Sequence, residues 1–186
     1  KIRFVTQSML KIGTKYDIDP PPIYLHINSY GGSIFAAMAA IDVIISNSVT
    51  LIDWQAFRNC GSLNTVTIGD NVTVISGDSF AGTSIQSIII PDKVETIGAS
   101  AFEVCGSLQS ITIPDNVTNL DWRAFKDCKE LKTAIIGNGV HTIRLWLFRG
   151  CTKLESVTIG ESVTSIETLA FYECEALQSM FIPDNV

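Results

Sequence analysis

The sequence predicts a stacked-repeat solenoid over residues 48–186, preceded by a short α/β segment over 1–47. Three observations carry this. One phrase recurs six times with a period of about 23 residues, for example SVTLIDWQAFRNCGSLNTVTIGD (Ser48–Asp70) and KVETIGASAFEVCGSLQSITIPD (Lys93–Asp115). Its apolar residues fall in fixed columns when the copies are aligned. Residues 1–47 contain none of the phrase and instead combine a proline linker, an apolar run and paired glycines. A fixed period of this length marks units that bury their apolar face only by stacking on their neighbours.

Each unit divides into two halves. The first holds Leu63, Ile85, Leu108, Leu131, Leu154 and Leu177, followed three residues later by Val66, Ile88, Ile111, Ala134, Val157 and Met180. Two residues further stand Ile68, Ile90, Ile113, Ile136, Ile159 and Ile182. The spacing L-x-x-V-x-I contains the period of two expected of a short strand with one face inward. Gly69, Pro91, Pro114, Gly137, Gly160 and Pro183 follow and stop the strand, by flexibility or by a missing donor. In the second half, Ile52, Ile75, Ile97, Leu120, Ile143 and Ile166 each stand five residues before a phenylalanine. That column (Phe57, Phe80, Phe102, Phe125, Phe148, Phe171) reads as a stacked aromatic spine.

Cysteines keep the same register. Cys60, Cys105, Cys128, Cys151 and Cys174 all lie three residues after a spine phenylalanine, and only the shortened second unit lacks one. A disulfide framework would place partners at different positions and use an even count. Metal ligands must converge from several directions, whereas this column supplies parallel side chains without nearby histidines. The cysteines are expected to be small buried hydrophobes, and neither a metal site nor a cofactor is expected.

The phrase V-T-x-I-x-x-x-A-F-x-x-C-x-S-L-x-S-V-T-I-P-D, spread over Ser48–Val186, resembles the BspA-like class of leucine-rich repeats. The resemblance implies a right-handed leucine-rich-repeat solenoid of six repeats with a parallel β-sheet on its concave face. It also implies a binding role at a cell surface or in a secreted protein, with host or matrix proteins or other cells as partners, and no enzymatic activity from the repeat itself.

Two outward ladders flank the inward strand positions. The first is Thr65, Ser87, Ser110, Thr133, Ser156 and Ser179; the second is Thr67, Ile89, Thr112, Ile135, Thr158 and Phe181. Strand chemistry alone favours such residues, because Thr and Ile suit a pleated surface and stacked hydroxyls can bond one another. The functional alternative is a nearly uncharged face that offers hydroxyls and isolated apolar side chains to a protein or glycan partner. Trp54, Trp122 and Trp146 lie in the return segments, where aromatics usually pack over a loop, so core cover is expected of them. An exposed tryptophan would instead mark an interaction spot. The sequons Asn71-Val72-Thr73 and Asn116-Val117-Thr118 are by-products of the repeated phrase.

Residues 1–47 read as an amphipathic stretch (Ile2–Ile12), a linker ending Asp19-Pro20-Pro21-Pro22, a buried strand (Ile23–Asn28), a Ser29-Tyr30-Gly31-Gly32 turn and a helix from Ser33 to about Ile45. Paired glycines before a helix leave amide N–H groups free to face an oxyanion. The string Ile23–Asp42 resembles the proteolytic subunit of Clp-type serine peptidases, in a Clp/crotonase-like α/β fragment, with Tyr30 in place of the usual proline. The resemblance implies that Gly31 and Gly32 match the turn lining the oxyanion hole. The serine elbow that should follow is missing: Ser62 lies in Cys60-Gly61-Ser62-Leu63, which recurs as Cys105-Gly106-Ser107-Leu108. The only histidines are His26, upstream on the strand, and His141, in the fifth repeat, so no base is placed to activate Ser62. A partial or inactive peptidase lacking nucleophile, base and acid is the alternative to a binding module. The segment is also expected to cap the first rung, since solenoids need their open ends covered.

Net charge is −6, with four basic and three acidic residues in 1–47 against nine and sixteen in the remainder. That balance argues against a nucleic-acid partner. No apolar run is long enough for a transmembrane helix, so membrane insertion is not expected, and no signal peptide is recognisable. The chain starts at Lys1 and stops at Asn185-Val186, which matches the opening of another repeat, so a longer protein is expected.

Overall fold

The computed structural model describes residues 10–13 and 41–186, apart from 179, 181 and 185. Two strands precede the first complete phrase, β1 (Leu10–Gly13) and β2 (Ile41–Ile45). The first five repeats then contribute one main strand each, β4 (Leu63–Thr67), β6 (Ser87–Ile88), β8 (Ser110–Ile113), β10 (Thr133–Ile136) and β12 (Ser156–Thr158), while the described residues of the sixth, expected from Leu177 to Ile182, form none. Between them lie two-residue strands: β3 (Leu51–Ile52), β5 (Val74–Ile75), β7 (Thr96–Ile97), β9 (Asn119–Leu120), β11 (Thr142–Ile143) and β13 (Ser165–Ile166). From β2 to β12 the main strands are related by five turns of a parallel β-solenoid, and no helix occurs among the described residues.

The main strands pair parallel, in the order β2-β4-β6 and β8-β10-β12. Across the gap between β6 and β8, the Gln109 N–H donates to Gln86 O at 3.1 Å, which keeps the coils tied together. The short strands build a second side, β3-β5-β7-β9 and β11-β13, also parallel. The repeated phrase predicts one strand and a return segment per unit; the structure has two strands. The second holds only two residues, too few for an alternation to show.

The predicted helix does not extend to Ile45: Ile41–Ile45 is a strand, parallel to β4 with Val43 opposite Val66 and Ile44 opposite Thr67. The physical reason is in the residues. Val43 and Ile45 point inward while Asp42 and Ile44 point out, a period of two that lets this stretch serve as a rung. Leu10–Gly13, within and just past the predicted amphipathic stretch, forms a strand antiparallel to β2. It lies at the edge of the sheet, next to β2. The predicted strand Ile23–Asn28, the Gly31-Gly32 turn and the first part of the helix lie outside the described residues.

One continuous core runs through the coils. The six phenylalanine rings stack face to face with centroids 5.1–5.6 Å apart and interplanar angles of 3–12°. Val49, Val72, Val94, Val117, Val140 and Val163 add another buried column. Around the spine the backbone is not extended. In each coil the residues two before and two after the phenylalanine adopt left-handed φ, as at Arg123 (57°) and Asp127 (58°) around Phe125. The intervening turns still form a ladder: the N–H groups of Arg123, Phe125 and Asp127 donate to Leu145, Leu147 and Arg149 of the next coil. Most backbone groups that β-structure would otherwise pair are satisfied this way.

The cysteines fill the core as expected and are all free thiols. They also do something the alignment does not reveal. Cys105, Cys128, Cys151 and Cys174 donate to the carbonyls of Phe80, Phe102, Phe125 and Phe148, one coil back, at 3.1–3.2 Å. Thr83 occupies the column in the short unit; its hydroxyl bonds Phe80 O and meets Cys105 Sγ at 3.3 Å. Burial pushes the thiols of Cys60 and Cys174 up to about 11 and that of Cys151 higher still.

Candidate interaction face

The main sheet brings the predicted ladders together. Thr65 lies opposite Ser87, and Thr133 lies between Ser110 and Ser156. Ile135 stands between Thr112 and Thr158. All ten described members (Thr65, Thr67, Ser87, Ile89, Ser110, Thr112, Thr133, Ile135, Ser156, Thr158) are exposed, because the inward register is taken by the Leu, Val and Ile columns. Ser179 and Phe181 lie outside the described residues. Gly31 and Gly32, the oxyanion-type pair, do too.

Two face residues escape the repeat alignment. Asp42 pairs with Thr65 and Ile44 with Thr67, so both ladders extend one rung onto β2. The signal was available: Asn47 aligns with Asp70, which implies a strand directly before it. The second ladder therefore alternates Ile44, Thr67, Ile89, Thr112, Ile135 and Thr158. Ile89 is 84% exposed, the barest large apolar side chain on the face.

No hydrogen bond joins hydroxyls of neighbouring rungs on this face among the described residues. The ladder hydroxyls are spent neither on the backbone nor on each other, and each can donate to and accept from a ligand. The flanking column Asn64, Gln86, Gln109, Lys132 and Glu155 holds only two charges. Chemically the face can offer many weak polar contacts around isolated isoleucines. Among the described residues, no group of three or more His, Cys, Asp or Glu side chains is placed to hold a metal ion.

The return turns differ from expectation. Trp54 is 52% and Trp122 40% exposed, so neither serves as core cover; the spine phenylalanines already fill that space. Both sequon asparagines are occupied. Asn71 Nδ2 donates to Asn47 O at 2.8 Å, and Asn116 Nδ2 donates to Asp92 O at 2.7 Å. These amides tie one coil to the previous one, as the repeated phrase suggests.

Two stacked sides of short parallel strands, an inward leucine column and a phenylalanine spine define a leucine-rich-repeat solenoid. The model described as BspA type Leucine rich repeat region matches the chain in six copies, over residues 23–106 and 73–186. The chain belongs to this BspA-type leucine-rich-repeat family. The matched span takes in the peptidase-like string Ile23–Asp42. Among solved structures, the chain is similar to a leucine-rich repeat protein from Bacteroides ovatus, with 32% identity and a TM-score of 0.74 over 78% of this chain and 38% of that one. It is also similar to the T. pallidum leucine rich repeat protein, with 29% identity and a TM-score of 0.63 over 74% of this chain and 65% of that one. A leucine-rich repeat protein from Eubacterium ventriosum, 23% identical with a TM-score of 0.60 over 76% of this chain and 48% of that one, shares the fold. The chain thus spans between 38% and 65% of the length of these proteins. Comparison with curated proteins returned no match.

Proposed function

We propose that this chain is a non-enzymatic interaction module that binds a protein or glycan partner through the hydroxyl-lined face of its main sheet, at a cell surface or in a secreted protein. The observation that carries the reading is the pair of exposed ladders, whose hydroxyls have no hydrogen-bond partner among the described residues. A face committed to its own stability would spend those groups on rung-to-rung bonds. The isoleucines interleaved with them supply apolar contacts spaced two rungs apart.

A peptidase reading has less to stand on. Ser62 is half-buried in the turn before β4, a position that Ser107 repeats two coils on. His141 is three coils further along and contacts Ser162 O through Nδ1 at 2.9 Å. No described base reaches the serine, and an unassisted hydroxyl is a poor nucleophile.

The test is a triple variant, Thr112→Lys, Ile135→Lys and Thr158→Lys, compared with the parent on arrays of matrix proteins and of glycans. All three side chains are exposed, so the fold is expected to persist, as checked by circular dichroism. Saturable binding by the parent that the variant loses supports the face as the site. Equal binding by a folded variant moves the site elsewhere.

A further inference from the structure

The return turns of the coils around Phe125, Phe148 and Phe171 carry a ladder of alternating aromatics and guanidinium groups. The Arg123 guanidinium carbon lies 4.4 Å from the Trp122 ring centroid and 4.3 Å from that of Trp146. Arg149 lies 5.5 Å from Trp146 and 5.5 Å from Tyr172. Each guanidinium is thus held over aromatic faces by cation–π attraction. We propose that this ridge is a second docking surface, distinct from the sheet face, that receives an acidic segment of a protein partner, with Arg123 as the carboxylate-binding group.

The fold does not need the ladder. The Arg123 column reads Gln55, Asp78, Ser100, Arg123, Trp146, Leu169, and the backbone turns identically at all six. In this column polar residues serve in the first three coils, and Arg123, Trp146 and Leu169 stand in the later ones. Arg123 also differs from its neighbour Lys126, whose charge is spent on Glu103 at 2.7 Å and Asp127 at 2.8 Å. Arg149 has Glu173 at 3.6 Å. Arg123 has no ion pair among the described residues.

Stacking also decides what Arg123 can bind. Its guanidinium carbon lies within 4.4 Å of the centroids of two indole rings, and its Nε is sealed from solvent without a partner. What remains is the Nη edge, whose planar N–H fork fits a carboxylate in a bidentate pair. The Trp146 ring likewise has two guanidiniums near it, at 4.3 and 5.5 Å from its centroid. Around the cations stand exposed Trp122, Tyr172 and the aliphatic Leu169. Tryptophan, tyrosine and arginine gathered in one place is the composition of a protein-binding hot spot. Arg123, without an ion pair in such a setting, recognises a carboxylate through its own charge and N–H fork, acting locally against the chain's net charge of −6.

The experiment titrates the intact chain with a dye-labelled glutamate–tyrosine copolymer, a lysine–tyrosine copolymer, heparin and hyaluronan. The glutamate–tyrosine polymer is expected to bind saturably. Arg123→Gln should weaken it about tenfold or more, since a hydrogen-bonded charge pair is lost. Arg123→Lys should weaken it nearly as far, because an ammonium lacks the planar fork. Arg58→Gln removes the same charge from the corresponding turns of the first coil, outside the ladder, and should change little. Trp122→Ala, at an exposed ring, provides a second variant if Arg123 substitutions impair folding. Equal losses from Arg58→Gln and Arg123→Gln would reduce the effect to net charge and overturn the proposal. So would equal binding of the lysine–tyrosine polymer, or binding of heparin or hyaluronan with none of the acidic peptide.

Discussion

The main-strand face and the return-turn ridge are built from the same repeats but obey different constraints. On the face, period-two alternation ties every outward residue to an inward one, so each coil from β4 to β12 offers one hydroxyl and one Thr or Ile. The face is uniform along its length. On the ridge, the left-handed positions around the spine carry side chains of varied burial, and what stands there ranges from buried Ser100 to half-buried Trp146. A regular surface suits many equal contacts, whereas a variable one can concentrate a few strong ones. Distinctive chemistry is therefore found on the turns, even though the strands form the more obvious platform.

The largest expected effect breaks the spine that both surfaces share. Phe125 is fully buried between Phe102 and Phe148, with centroids 5.3 and 5.5 Å away. Phe125→Ala should cost about 3–5 kcal/mol by losing transfer energy and leaving a cavity. Ile135→Thr, one strand position from the core but facing out, should change stability by no more than about 0.5 kcal/mol. Denaturant unfolding of the two variants measures the contrast directly. Similar losses would mean that the face residues carry packing that the geometry denies them.

Alkaline pH probes the turns through the cysteine column. Cys60 and Cys174 are raised by burial from the ordinary 9.0 to about 11. Between those values the native coil keeps its protons while the unfolded chain has lost them. Stability is therefore complete below about pH 9 and declines as pH rises toward 11. Melting temperature followed over that range should fall, and less steeply in a Cys60→Ala, Cys174→Ala variant. The difference between the two curves isolates the thiols from tyrosine and lysine titration. Identical slopes would show that these thiols ionise alike in both states.

The face was legible in the sequence, and the ridge only in part. Leu63, Val66 and Ile68 set the strand register by themselves, and from that register the exposure of Thr65 and Thr67 follows. The spine and the cysteine column were equally readable, because stacking requires identical positions in successive units. The short strands were not, since Thr96–Ile97 contains no alternation to detect. Strand β2 was hidden because Ile41–Ile45 continues an alanine-rich run that reads as helix. The aromatic ladder needed contacts between coils: Trp122 stacks on its chain neighbour Arg123, but Arg123 reaches Trp146 a full repeat away. Their shared column was in the alignment. What the alignment could not supply was that these two half-buried side chains, both at left-handed positions, come within reach of one another across successive coils.

The smallest expected effect sharpens the same point at Val104. Its φ of 60° places a β-branched residue in the left-handed region, where the side chain crowds its own backbone. The equivalent positions hold Asn59, Gly82, Asp127, Gly150 and Glu173, and Val104 is the one β-branched residue with positive φ among those described. It is also exposed, so burial does not offset the strain. Val104→Asn should therefore raise stability by about 1 kcal/mol, read as a higher unfolding midpoint at unchanged slope. The backbone turns of this ridge would then be limited by conformation and not by packing, leaving side-chain identity there open to binding. A loss of stability would show instead that Val104 makes a contact the turn depends on, and would bring the ridge under the same packing constraint as the strands.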